Sequence, residues 1–301
     1  MTTGAIWSSI PNDVIAWFRD AFAKANKAVS EVLLNVPNVR ETSLDDAFIQ
    51  ALIPRSAPTR LGSGALVRMD VHNIGGLRRV LRWEVADIGI VVFVVRAKRI
   101  VARKIALLQA KRLYPDNNVV DDEDPTGFQY GINAIMRHDL SPVSMTLAQR
   151  FDFHSQCKYG AIEAESPQVT SIKDFSRKSG YFVDYLLYNP QKMPISISYP
   201  VLQQKVLRRP PTVGCRVVRA AAVHSLLSRL PKGSVPTYHQ IKYCAGSDYW
   251  RVEHWAADLL LRCKVGREFD SADESSIIEI LERRSGPIGA AIAAYIELPP
   301  E

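Results

Sequence analysis

The chain has 301 residues and a net charge of +7, with 38 Lys and Arg against 31 Asp and Glu. A hydrophobic fraction of 47% and a charged fraction of 23% are typical of a globular protein and exclude a largely disordered chain. The four cysteines form no CxxC pair, which argues against a zinc knuckle and a disulfide framework. The longest apolar run, 88–95, is too short to cross a bilayer, and no secretory signal opens the sequence. We therefore expect a cytoplasmic protein without a membrane partner.

Two helices are predicted first along the chain. Apolar residues recur at spacings of three and four over 14–29, which is typical of a helix with one buried face. A second predicted helix begins near Glu41, with Thr42 or Ser43 as its N-cap, and Pro54 ends it.

Strands are predicted next. Apolar and polar residues alternate over 64–72, which is typical of a half-buried strand. The runs 79–95 and 105–114 are rich in β-branched residues and predict two central strands, joined by the basic link Arg96 to Lys104. A charged loop at 121–125 and a helix at 128–138 follow.

Residues 146–301 are predicted to be an α+β region without an assigned role, either a second domain or an elaboration of the first. No flexible linker marks a boundary near residue 145. The elements predicted here are strands at 181–188 and 194–200, helices at 217–230, 249–263 and 275–284, and a strand at the C-terminal end.

The positive charge is concentrated in one segment. Residues 78–112 contain ten basic and two acidic residues and carry +8, whereas the rest of the chain carries −1. Such a segment favours a polyanionic partner, most often nucleic acid, although a solvated basic face is the plain alternative. The predicted nucleic-acid-binding residues are Arg78, Arg79, Arg82, Lys98, Arg99, Arg103, Lys104 and Arg112.

Three polar residues lie inside the two apolar strands of this segment. Asp87 is in the first strand, and Gln109 and Lys111 end the second on one face, with Ala110 on the other. If the strands are adjacent and antiparallel, the three side chains converge. Polar groups in apolar strands are costly unless they are paired or bind a ligand, so this convergence predicts a functional site.

The order of these elements resembles the PD-(D/E)XK nuclease superfamily, in its D…QxK branch. The order is a helix with an acidic residue, a strand, a strand with Asp87 and a strand with the sequence QAK. The resemblance covers roughly 41–114, and LLQAKRLYP is similar to strands of nuclease subunits of bacterial antiviral defence systems. It implies an α/β (α+β) fold with a restriction-endonuclease-like mixed sheet flanked by helices. Residues 1–145 would form the nuclease core.

The resemblance also implies roles for individual residues. Asp87 and Gln109 would bind Mg²⁺ or Mn²⁺, Gln109 through its side-chain carbonyl, and Lys111 would lie next to the attacking water. Glu41 matches the position of an auxiliary acid. Glu84 is a second candidate for that role, although its odd spacing from Asp87 sends it to the opposite face of a regular strand.

The function implied is a Mg²⁺-dependent endonuclease that hydrolyses phosphodiester bonds, with double-stranded DNA as the expected substrate and an antiviral defence complex as a partner. The neutral Gln109 weakens metal binding unless Glu84 or Glu41 compensates. A catalytically degenerate subunit that binds nucleic acid or assembles with a partner therefore stays open, as does an effector that a partner holds silent.

The sequence contains one further candidate for a catalytic pair. His154 and Cys157 are three residues apart, a spacing that suits a nucleophile pair, but the sequence shows neither an orienting group nor an oxyanion site. An ordinary buried cysteine is the default interpretation.

Overall fold

The structure is a computed structural model that describes residues 3–74, 85–116, 149–199, 203–206, 210–270, 273–281 and 288–300. Four predicted site residues lie outside these ranges: Glu84, Arg78, Arg79 and Arg82. The predicted charged loop at 121–125 and the predicted helix at 128–138 also lie outside them. The fold is mixed α and β, with a large mixed sheet flanked by helices.

The helices of the described residues are α1 (Thr3–Ser8), α2 (Asn12–Asn35), α3 (Glu41–Gln50), α4 (Pro167–Ser179), α5 (Ala220–Leu227), α6 (Tyr238–Ala245), α7 (Val252–His254, continued by a π-helical segment Trp255–Leu260) and α8 (Glu274–Leu281). The strands are β1 (Thr59–Arg60), β2 (Leu66–Asn73), β3 (Ala86–Arg96), β4 (Arg99–Arg112), β5 (Gln149–Phe153), β6 (Val183–Tyr188), β7 (Ile195–Tyr199), β8 (Gln203–Val206), β9 (Arg216–Val218), β10 (Tyr249–Arg251), β11 (Arg267–Glu268) and β12 (Ile288–Leu298).

The large sheet has the strand order β1-β2-β12-β3-β4-β6-β9-β10, and β11 pairs with β4. The strand β12 runs antiparallel to β2 and parallel to β3, whereas β4 is antiparallel to β3 and parallel to β6. A smaller sheet contains β5, β7 and β8. Because β6, β9, β10 and β12 pair within the sheet that β2, β3 and β4 begin, residues on both sides of position 145 share one sheet.

The two predicted N-terminal helices are present. The apolar stripe of α2, from Val14 to Val29, is fully buried, as its periodicity predicts. The helix α3 begins at Glu41, but the predicted caps are wrong. Arg40 is the N-cap and no described side chain caps the helix, because Thr42 and Ser43 already lie inside its first turn.

The two central strands are adjacent and antiparallel, but the predicted basic link between them is wrong. Only Ala97 and Lys98 separate β3 from β4, so most of the link belongs to the start of β4. Both residues have positive φ, 49° and 63°, as a tight two-residue hairpin turn requires. Neither residue is Gly or Asn, the types that normally signal such a turn.

The predicted strands of the second half are confirmed as β6, β7 and β12, and α8 confirms the third predicted helix, beginning one residue earlier than predicted. The other two helices begin later than predicted. Residues 216–218 and 249–251 instead form β9 and β10, which pair with each other at the sheet edge. This long-range pairing overrides the local helical pattern. The helices α1, α4 and α6 were not predicted.

We predict that β12 is essential for stability because it fills the space between β2 and β3. Ile292 is fully buried there, so Ile292→Ala removes several methyl groups from the core. The free energy of unfolding, measured by urea denaturation, should fall by about 2–5 kcal/mol.

The matched control makes the same chemical change at the surface. Ile278 on α8 is 60% exposed, and Ile278→Ala should change the free energy of unfolding by less than about 0.5 kcal/mol. Equal losses in the two variants would contradict the placement of β12 in the sheet.

Candidate active site

The register of β3 and β4 brings Asp87 beside Gln109. Ile88 pairs with Leu108, so the preceding Asp87 lies across from Gln109 at the ends of the strands. Asp87 Oδ2 accepts hydrogen bonds from Gln109 Nε2 and from the backbone N–H of Ala110, the latter at 2.7 Å. The 22-residue separation in sequence thus becomes a direct contact in the hairpin.

Lys111 lies two residues further along β4 and contacts the helix α3. Its Nζ donates to Glu41 Oε1 at 2.8 Å, and the backbone N–H of Arg112 donates to Glu41 Oε2 at 3.1 Å. Lys111 is only 3% exposed, so this ion pair is largely removed from water. The structure therefore brings together four of the predicted site residues: Asp87, Gln109, Lys111 and Glu41.

A fifth residue of the site, Asp45, was missed by the sequence analysis. It lies one helical turn after Glu41 on the same face of α3, and Tyr188 on β6 donates its hydroxyl to Asp45 Oδ1 at 2.7 Å. Burial and the nearby Asp87 and Glu41 carboxylates raise the pKa of Asp45 well above its ordinary value, although the Tyr188 hydrogen bond and Lys111 oppose the shift. The signal in the sequence was the pair of acids at i and i+4.

The electrostatic balance of the site is negative among the described residues. Burial lowers the pKa of Lys111, but the Glu41, Asp87 and Asp45 carboxylates outweigh burial and leave the pKa above its ordinary value. Lys111 is therefore a permanent ammonium at neutral pH. This ammonium faces the carboxylates of Glu41 and Asp87, and Asp45 retains a proton that their negative charge and burial favour. A bound cation would compensate this negative charge and favour the ionised form of Asp45.

One acceptor at the centre of the site has no hydrogen-bond partner among the residues that the structure describes. Gln109 Oε1 is buried and accepts no hydrogen bond from any described residue, although an unpaired buried acceptor costs about 1–3 kcal/mol. It is the side-chain oxygen that the resemblance assigns to metal binding. Carboxylate and amide oxygens are ligands that Mg²⁺ accepts, so the residues present fit that ion.

The carboxylates by themselves do not enclose a metal. Within the described ranges, Glu41, Asp45 and Asp87 do not place one oxygen each within 4.8 Å of one another. Asp87 and Gln109 would therefore supply the protein ligands, and water would supply the others. Mg²⁺ commonly keeps several waters in its coordination shell.

The structure corrects the predicted nucleic-acid-binding set at two residues. Lys104 is fully buried, where its Nζ donates to the carbonyl of Leu260 at 3.1 Å and lies over the Trp7 ring. Arg112 is 2% exposed, and it donates to the carbonyl of Pro37 at 2.5 Å. Neither side chain is available to a phosphate, because each points into the protein rather than to solvent.

The other described cations of the set lie far from Asp87. Lys98 and Arg99 are exposed at the hairpin turn and Arg103 is half-buried further along β4. Asp87 and Arg96 are nine residues apart on β3, which places the turn about 30 Å from the site. These three predicted nucleic-acid-binding residues therefore do not lie beside Asp87: the hairpin places Lys98 and Arg99 at the opposite end of the strands, and Arg103 pairs with Phe93 within β3.

Comparisons with protein-family models, with curated proteins and with solved structures gave no match to this chain. In the described part of the chain, no helix combines the length and the apolar content that crossing a membrane requires.

We predict that Lys111 and Glu41 depend on each other for stability. Lys111→Met leaves the Glu41 carboxylate without its buried partner and should lower the free energy of unfolding by about 3 kcal/mol, with part of the loss recovered in Lys111→Met/Glu41→Gln. Lys24→Met, which breaks an exposed pair with Asp20, should cost less than about 1 kcal/mol in the same urea titration. Additive losses at Lys111 and Glu41 would contradict the coupling.

We predict a pH dependence that originates at Asp45. Above its ordinary pKa of 3.8, the folded protein retains a proton that the unfolded chain has lost, so the free energy of unfolding falls as pH rises through this range. Asp45→Asn keeps the acceptor for Tyr188 but removes this titration. The variant should therefore lose less stability than the wild type as the pH is raised above the ordinary pKa of 3.8.

The control for this measurement is Asp46→Asn, the same change at the exposed neighbouring residue of α3. Asp184, whose pKa burial raises to about 6, contributes the same slope in all three proteins and cancels in the comparison. Superimposable pH profiles for wild type and Asp45→Asn would overturn the assignment.

Proposed function

We propose that the chain is a nuclease that hydrolyses phosphodiester bonds with Mg²⁺ or Mn²⁺, and that double-stranded DNA is its substrate. The observation that carries the proposal is the buried Gln109 Oε1, an acceptor without a described partner, next to Asp87 and a surplus of carboxylates. A cation is the simplest group that satisfies both the unpaired oxygen and the unbalanced charge. The restriction-endonuclease-like form of the fold belongs to this proposal.

Each residue has a distinct role in the proposed reaction. Asp87 and Gln109 would hold the ion through their side-chain oxygens. When bound, such an ion polarises the phosphoryl oxygen and lowers the pKa of a coordinated water. Lys111 places a fixed positive charge beside the scissile phosphate, where it stabilises the charge that develops in the transition state.

The raised pKa of Lys111 defines how it acts. An ammonium that stays protonated at neutral pH cannot take a proton from water, so Lys111 serves as an electrostatic stabiliser rather than as the general base. Glu41 is a positioning residue, because its carboxylate holds both Lys111 Nζ and the backbone of Arg112. Asp45 keeps its proton in the structure, and a bound cation would favour its ionised form and so gain a further negative charge beside it.

The alternative function, a catalytically degenerate subunit, also has a structural observation in its support. Asp87 Oδ2 already accepts two N–H groups and Lys111 is already paired, so much of the network is satisfied by the protein alone. A subunit of this kind would bind nucleic acid or a partner without cleaving. Membership of an antiviral defence complex, with or without cleavage, is part of the proposal and follows from the resemblance.

We predict metal-dependent cleavage of supercoiled plasmid DNA that requires Asp87 and Lys111. Asp87→Asn removes a metal ligand and Lys111→Met removes the positive charge, and each change should lower the cleavage rate by at least about 100-fold. The rate is measured from gel-resolved nicked and linear DNA with Mg²⁺, with Mn²⁺ and with EDTA, after each variant is shown to be folded by circular dichroism.

Matched controls separate the site from general surface effects. Asp46→Asn and Lys24→Met make the same chemical changes at exposed positions and should cleave at the wild-type rate. Cleavage that persists in both Asp87→Asn and Lys111→Met would refute the site. Salt-dependent DNA binding without cleavage by the wild type would instead support the degenerate subunit.

A further inference from the structure

A second cluster of metal-ligating residues lies outside the proposed active site. Asp116, His154 and Cys157 each place one ligand atom within 4.8 Å of the others, and they are the one such group of three His, Cys, Asp or Glu residues found in the described ranges. They come from two chain segments that are 38 residues apart. We propose that these three residues bind a zinc ion.

The backbone holds the two segments together before any metal binds. Asp116 and Asp152 exchange backbone hydrogen bonds, at 2.9 Å and 3.4 Å, so the chain that continues from β4 pairs with β5. His154 follows β5 directly, and its backbone N–H donates to Cys157 Sγ at 3.2 Å. The three ligand positions are therefore fixed relative to one another by this pairing and by the tight turn at 154–157.

The side chains have the freedom that coordination requires. His154 Nε2 lies 2.7 Å from Asp116 Oδ2, and these side chains are 36% and 50% exposed, so they can separate slightly. Two ligand atoms of tetrahedral zinc lie roughly 3.3 Å apart, as zinc–nitrogen and zinc–oxygen bonds of about 2.0–2.2 Å require. With zinc on Nε2, Nδ1 becomes a donor, and the 3.2 Å contact from the Gln156 amide opens within the exposed turn.

The ligand chemistry favours zinc over the hard cation of the proposed active site. A thiolate, an imidazole and a carboxylate together suit a borderline-soft ion, whereas Mg²⁺ prefers oxygen ligands alone. Asp116 and His154 also line a cavity of about 250 Å³, which has room for a water molecule as the fourth ligand. Burial raises the pKa of the Cys157 thiol to about 11, which disfavours a free nucleophilic thiolate. A zinc ion would displace the thiol proton to solvent when it binds Sγ, as coordinated thiols are deprotonated by the ion.

The site has a structural consequence. Asp116 is five residues after Lys111, so a zinc ion here anchors the chain immediately beyond the QAK strand to the turn after β5. The ion would close the loop between Asp116 and His154. Because the metal binds the folded chain, its binding free energy would add to the stability of the fold.

The test is the zinc content of untagged full-length protein, which is stripped with EDTA, reconstituted with ZnSO₄, dialysed and analysed by inductively coupled plasma mass spectrometry. The wild type should retain one zinc per chain. His154→Gln and Asp116→Asn change half-exposed side chains that should not compromise folding, and each should lower zinc retention at least about tenfold, since even the loss of an outer-shell partner commonly costs 10–100-fold in affinity. Cys157→Ser should also abolish the thiolate-to-metal charge-transfer band of the Co²⁺-substituted protein.

The controls are His239→Gln at an exposed histidine and Cys244→Ser at a half-buried cysteine, both of which should retain zinc. Asp87→Asn should also retain zinc, so a failure of the nuclease proposal leaves this result unaffected. Wild-type protein without zinc after dialysis, or His154→Gln protein with undiminished zinc, would overturn the proposal.

Discussion

The register between β3 and β4 is the constraint on which the site depends. The side-chain period of a strand is two, so a slip of one residue would turn Asp87 and Gln109 to opposite faces and separate Lys111 from α3. The register is set by a two-residue turn, in which Ala97 and Lys98 both adopt positive φ, and by a shift of one residue in the pairing between Val94 and Val95. Without that shift, Asp87 would lie across from Leu108 rather than Gln109. Burial of the surrounding apolar side chains of β3 and β4 outweighs the cost of that turn.

The same polar cluster joins the helix α3 to the sheet. Glu41 reaches both Lys111 and the backbone of β4, and Asp45 reaches Tyr188 on β6, so α3 is attached to two parallel neighbouring strands. Such a cluster stabilises the protein only in part, because like charges oppose one another at Asp45. Stability given up at a site of this kind is commonly exchanged for ligand binding, and under the proposed function that ligand would be a divalent cation.

The sequence predicts the local elements of this arrangement better than their partners. Apolar periodicity was sufficient for α2, for the strands β3 and β4 and for the convergence of Asp87 with Gln109. The position of β12 between β2 and β3 was not predictable, because long-range pairing leaves no local pattern. The positions of basic residues predicted the nucleic-acid-binding surface least reliably. The sequence does not show that the side chain of Lys104 points into the core rather than to solvent. Asp45 was identifiable from its i+4 spacing to Glu41.

Crystals of the protein soaked in MnCl₂ test the central claim most directly, through anomalous scattering collected above the manganese edge. The account predicts an anomalous peak within coordination distance of Asp87 and Gln109 Oε1, with the Lys111–Glu41 pair intact beside it. A well-ordered site without that peak at saturating Mn²⁺, with Gln109 Oε1 bonded to a protein donor or to water instead, would contradict the assignment of a cation site.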